Sequence, residues 1–150
     1  MAEASQLWKF RGDSPATAMA IGGQGRYGAV GSRRGGIVFL GQDGRPVWRS
    51  SGINDVRDIS LAGSGRAVLV ASGDNTIHYL DQRGREMWHR SLNHAATTVG
   101  VSRRADLIVA GLLRGSLHAY NRTGKLLWEH RPGGTDFCIN DVAISANGQY

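Results

Sequence analysis

Short apolar runs alternate with glycine-rich polar stretches along the whole chain, and they recur in a constant order. From Ala18 the runs are AMAIGG, RYGAVGS, GIVFLG and PVWRS. From Val56 they are VRDISL, RAVLVAS, TIHYLD and EMWHR, and from Thr97 they are TTVGV, DLIVAGL, SLHAYN and LLWEH. Each run has the length of a strand, is rich in β-branched and aromatic residues, and is bounded by turn formers. None extends into an apolar stripe of helical spacing, so the pattern predicts strands throughout and no helix.

Tryptophan sets the period. Trp8, Trp48, Trp88 and Trp128 are all the tryptophans in the chain and stand 40 residues apart. The segments leading into three of them, LGQDGRPVW, LDQRGREMW and YNRTGKLLW, put Gly44, Gly84 and Gly124 in one register. Four strands in roughly 40 to 45 residues is the content of one β-propeller blade. A leucine-rich solenoid would repeat every ~20 to 29 residues, and a sandwich or barrel requires no such period. The expected fold class is all-β, a propeller of four-stranded antiparallel blades, with residues 1–150 forming a single partial domain.

The repeat also assigns structural roles. Gly44, Gly84 and Gly124 fall where the third strand turns back into the fourth, a position that needs positive φ. Asp81 and Asn121, three residues earlier, start the turn because their side chains can bond the backbone ahead. Each tryptophan offers a large ring to the space between neighbouring blades, which makes all four structural anchors.

The Gly-x-x-x-Trp ending, preceded by Asp or Asn, resembles the tryptophan-docking repeat of pyrroloquinoline-quinone-type propellers and the WD-like repeats of bacteria and archaea. In the quinoprotein enzymes the motif runs Asp-x-x-x-Gly-x-x-x-Trp, whereas the step from Asp81 to Gly84 is one residue shorter. The resemblance implies blade geometry and, for most relatives, a non-catalytic role. A quinone enzyme would also need carboxylate and amide ligands for calcium around the central channel; no such set is found in the sequence, so no cofactor is expected.

The blade frame is permuted. LWKF (Leu7 to Phe10) reads as a fourth strand, NDVAIS (Asn140 to Ser145) as a first strand, and Gly148 to Tyr150 as the start of a second. That amounts to about 3.75 blades, where closed propellers have roughly four to eight. The chain is therefore expected to be an incomplete propeller, the N-terminal part of one with about six to eight blades. Its open blade edges would invite self-association. Trp128 precedes Ile144 by three more positions than Trp8 precedes Ile21, which places an insertion in the loop PGGTDFCIND from Pro132. Insertions in repeat proteins favour the binding face, so Asp136 and Phe137 become candidate contacts.

Charge adds a ligand class. The formal net charge is +6, almost all of it from arginine. Sorted by propeller face, the excess falls where the first-to-second and third-to-fourth strand turns open. That face holds Arg26, Arg45, Arg66, Arg83, Arg85, Arg103, Arg104, Arg122 and Lys125 against Asp43, Asp81, Glu86 and Asp106. A polyanion such as nucleic acid is thus a candidate ligand, with Arg83, Arg85, Arg103 and Arg104 as its contacts. No aromatic interleaving marks a platform for stacked bases.

Catalytic and metal-binding patterns are thin. His78 and His118 hold the same position in consecutive third strands, but packed sheets lie ~10 Å apart, too far for both to reach one zinc. Gly22, Gly23 and Gly25 form a hairpin turn with no helix behind it to cradle a phosphate. Cys138 has no partner for a disulfide and reads as a small buried apolar residue. No leader and no apolar run of membrane-spanning length is visible, so the expected location is cytoplasmic and no membrane insertion is expected. The leading functional expectation is a non-enzymatic platform that binds a protein or peptide through its loop face. The alternatives are a quinoprotein-like enzyme with its active site in blades beyond this chain, or polyanion binding by the basic face.

Overall fold

The computed structural model describes residues 5–34, 36–133 and 137–150. Its strands form three four-stranded antiparallel sheets, each a meander in chain order. The first holds β1 (Ala16–Gly22), β2 (Tyr27–Ser32), β3 (Gly36–Leu40) and β4 (Pro46–Ser50). The second holds β5 (Val56–Leu61), β6 (Ala67–Ser72), β7 (Thr76–Asp81) and β8 (Glu86–Ser91). The third holds β9 (Ala96–Val101), β10 (Leu107–Leu112), β11 (Leu117–Asn121) and β12 (Leu126–His130). The described residues contain no helix.

The sheets stack face to face with β1, β5 and β9 adjacent along the inner edge. Two cores result. Ile37 and Phe39 of the first sheet meet Ile59, Val68, Val70 and Leu80 of the second. Leu69, Ile77 and Tyr79 of the second meet Val99, Ile108 and Leu112 of the third. Successive side chains on a strand point to opposite faces, so β6 and β7 feed both cores, and this is why AVLVAS is buried along its whole length. The outer strands β4, β8 and β12 are largely exposed.

A tryptophan on the outer strand of one blade ties it to the next. The Trp48 indole N–H donates to the Gln82 carbonyl at 2.9 Å, and that of Trp88 to the Arg122 carbonyl at 2.9 Å. Each ring lies parallel to the aromatic opposite it in its own sheet, Phe39 for Trp48 and Tyr79 for Trp88, with centroids 5.1 Å apart. Its other contact is the turn glycine of the following blade. A Cβ at Gly84 would stand 2.8 Å from the Trp48 ring, and one at Gly124 would stand 2.8 Å from the Trp88 ring. These glycines also have φ of +78° and +77°, so backbone conformation and ring contact both exclude a side chain. The turn itself is held by Asp81, whose Oδ1 accepts from the N–H groups of Arg83 and Arg85, and by Asn121, which accepts from Thr123 and Lys125.

Each outer strand carries a β-bulge just before its tryptophan. The pairing passes from Phe39↔Trp48 to Leu40↔Pro46, and likewise in the other two sheets, leaving Val47, Met87 and Leu127 as extra, exposed residues. A bulge interrupts the unpaired ladder that an edge strand would otherwise offer to another chain.

The described residues form three whole blades of an incomplete propeller, with part-blade segments on either side. Neither Leu7–Phe10 nor Asn140–Ser145 is a strand, because each lacks a complete neighbouring strand to bond with. Both segments nonetheless keep their docking positions. Trp8 packs on Gly44, and the Ile139 carbonyl accepts from the Thr97 hydroxyl as the Val56 carbonyl accepts from Thr17. The separations are 39 residues for Thr17 to Val56 and 42 for Thr97 to Ile139, which recovers the three-residue insertion. Cys138 departs from expectation: it lies in the lengthened loop and is exposed.

The outward face of the first sheet is uncovered. Met19 and Ile21 are 71% and 75% exposed, whereas Ile59 and Leu61, at the same register one blade later, are 4% and 8% exposed. The difference is the preceding blade, since Ile59 and Leu61 pack on Gly31 and Gly22.

Unequal docking gives unequal stability. Trp88→Ala is expected to cost about 3 kcal/mol, whereas Trp128→Ala, at a residue that is 44% exposed and faces Ala119 instead of an aromatic, should cost less than ~1 kcal/mol. Urea unfolding followed by circular dichroism measures both, and equal losses would remove the docking account.

Candidate functional site

The β1–β2, β5–β6 and β9–β10 turns open on the same side as the β7–β8 and β11–β12 turns. They are tight, with positive φ at Gly25, Gly65 and Ala105. Their backbone is largely satisfied internally: the Gly65 N–H donates to Ala62 at 2.7 Å and the Ala105 N–H to Ser102 at 2.9 Å. What they present outward is therefore mainly side chains.

Together the turns line an open cavity of about 600 Å³ whose charged lining residues are Arg26, Arg66, Arg103, Arg104 and Arg122, all exposed. Gln24, Tyr27, Ser64, Tyr79 and Gln82 add uncharged polar groups to the lining. Glycines of neighbouring blades make room for the long side chains. A Cβ at Gly63 would meet Arg103 Cγ at 2.4 Å, and one at Gly65 would meet the Tyr27 ring at 2.3 Å. Arg103 and Tyr27 thus lean across the blade boundary over positions where a side chain would block them.

No carboxylate lines the cavity. Among the described residues none of its five arginines lies within ion-pair distance of an acid; outside it Arg33, Arg45, Arg49, Arg57, Arg85 and Arg131 do, and Arg11, Arg34, Arg83, Arg90 and Arg114 do not. Asp106 sits near Arg104. A hydrogen bond from the Ser102 hydroxyl, against some opposing burial and with help from backbone N–H groups and the Arg104 charge, holds its carboxyl below the usual range.

The two tyrosines have little ring face to spare. Tyr27 stacks on Phe39 with centroids 5.4 Å apart, and its hydroxyl accepts from Gln82 Nε2 at 3.2 Å. Tyr79 lies parallel to Trp88. Burial pushes its hydroxyl above the ordinary value, while the charge of Arg122 and a hydrogen bond to it pull the other way.

Of the arginines expected as contacts, Arg103 and Arg104 line the cavity and Arg83 and Arg85 do not. Arg85 is committed to Asp81, with Nε and Nη2 both 2.8 Å from Oδ2, whereas Arg83 gives that carboxylate only its backbone N–H. Phe137 is exposed beside Gly115, away from the cavity, and Asp136 lies outside the described residues. Arg26, Arg66 and Arg122 were not singled out from sequence. The signal was present for two of them, since Arg26 and Arg66 stand 40 residues apart, each one position after its turn glycine.

The histidines belong to separate clusters. Glu86 bridges His78 and His89, 2.6 Å from Nδ1 of the first and 2.8 Å from Nδ1 of the second. The bulge at Met87 is what brings Glu86 opposite Leu80 and into reach of both rings. His118 is buried against the Tyr120 hydroxyl at 3.1 Å, with Glu129 at 3.6 Å. Among the described residues no group of three or more His, Cys, Asp or Glu is arranged to hold a metal ion.

The sequence model of the family described as outer membrane protein assembly factor BamB matches residues 2–145. The chain belongs to that family. The match spans all three sheets and is to a PQQ-like repeat, the type that the tryptophan register resembles. No match to a curated protein is found. In this BamB-family chain no helix among the described residues is long and apolar enough to cross a membrane.

The Glu86 bridge gives this BamB-family chain an acid-sensitive contact. Hydrogen bonds from His78 first, then His89, outweigh burial and hold the Glu86 carboxyl below its ordinary value. A carboxyl depressed in the folded state contributes stability that is present above its unfolded pKa and lost as pH falls through the folded value. Glu86→Gln should therefore lower Tm near pH ~6, with the gap to the wild type closing below pH ~4, as read from thermal unfolding across that range. A gap that persists unchanged into acid would show that the charge is not what Glu86 contributes.

Proposed function

We propose that this BamB-family chain is a propeller platform that binds a polypeptide partner through its turn face, without chemistry of its own. The observation that carries this reading is the cavity built from the turns of three successive blades. Its walls are loops held by stacked sheets, the usual arrangement for binding residues on a rigid scaffold. A propeller alone does not specify function, so the reading rests on the site. The family description adds support, since it names a factor in the assembly of other proteins.

A steric block tests it. A displayed library of random peptides panned against the chain should enrich micromolar binders. Ser64 lines the cavity, and Ser64→Trp should fill it and weaken those binders by about tenfold or more, read by fluorescence anisotropy. No enrichment, or binders indifferent to Ser64→Trp, would overturn the platform reading.

A further inference from the structure

We infer that the cavity receives an acidic segment of the partner, a short run of Asp and Glu side chains whose carboxylates complete the unpaired arginines. This rests on the platform reading above and specifies what the platform holds.

The charge of the lining calls for an anion. Five arginines line one concavity that has no acid in its lining, and none of them is ion-paired among the described residues. Like charges gathered in a recess raise its potential and attract anions. Geometry points to a carboxylate: guanidinium presents a planar fork that matches one with two parallel hydrogen bonds. The stem of Arg103 is packed against Gly63 of the neighbouring blade, which fixes where its side chain leaves the turn.

The engaged aromatic faces favour carboxylates on a peptide over a nucleic acid strand. Single-strand binders combine a basic groove with free aromatic faces for the bases. Here Tyr27 is stacked on Phe39 and Tyr79 on Trp88, so those faces are already engaged. A strand also needs a basic track leading out of the pocket, and two of the arginines that would extend it are paired within their own turns, Arg85 with Asp81 and Arg45 with Asp43.

The test is anisotropy with fluorescein-labelled hexaglutamate flanked by Gly-Ser, with hexaglutamine and hexathymidylate as comparison ligands. Hexaglutamate should bind the wild-type chain, weaken with salt, and lose about tenfold in affinity in the Arg66→Gln/Arg103→Gln double variant. Arg45→Gln/Arg83→Gln, which removes the same charge outside the cavity, should cost less than about twofold. Arg26→Gln/Arg104→Gln probes the cavity from other positions and keeps the test intact if the first pair disturbs folding. Equal losses in cavity and control variants would reduce the effect to net charge and overturn the inference. Tighter, cavity-dependent binding of hexathymidylate would also overturn it, by assigning the cavity to nucleic acid. Library peptides lost on Ser64→Trp but unaffected by Arg66→Gln/Arg103→Gln would keep the platform and remove the acidic ligand.

Discussion

One contact governs the assembly of this chain: an indole ring of one blade lying on a turn glycine of the next. Trp48 on Gly84 and Trp88 on Gly124 combine a hydrogen bond to a carbonyl, burial of ring face, and a close approach that a Cβ would prevent. The contact links nearest neighbours only, so the stack is a one-dimensional array in which each interface contributes separately. It also fixes the angular relation of adjacent sheets, which aligns their turns on one side. The cavity exists because three blades in a row obey it.

The same regularity decided what could be read from the chain alone. The tryptophan and glycine registers revealed the blade, because both residue types are required by a contact that recurs every 40 residues. The end segments were misjudged because an apolar run becomes a strand only when a partner strand completes its ladder. Asn140 to Ser145 has the right pattern and the right docking position yet lacks that ladder. Cys138 was misplaced because the inserted loop breaks the register from which burial was inferred.

The candidate site was legible only in part. Counting charge by face located the basic side but could not separate free arginines from paired ones. Arg85 looks equivalent to Arg104 in composition, yet Asp81 four residues earlier captures it within the turn. The Glu86 bridge was hidden for a different reason. Strict alternation would put Glu86 and His89 on opposite faces of β8, and the bulge at Met87 brings them to the same face.

Arg103 has glycine at the two preceding register positions, Gly23 and Gly63, and its stem crosses the second of these. The fold of this protein is periodic and its cavity is aperiodic. A gene that lengthened such a propeller by copying one blade would extend the core faithfully without reproducing the cavity. Each copy would carry either the arginine or the glycine that accommodates it, so the site can be inherited only as an ordered pair of unlike neighbours.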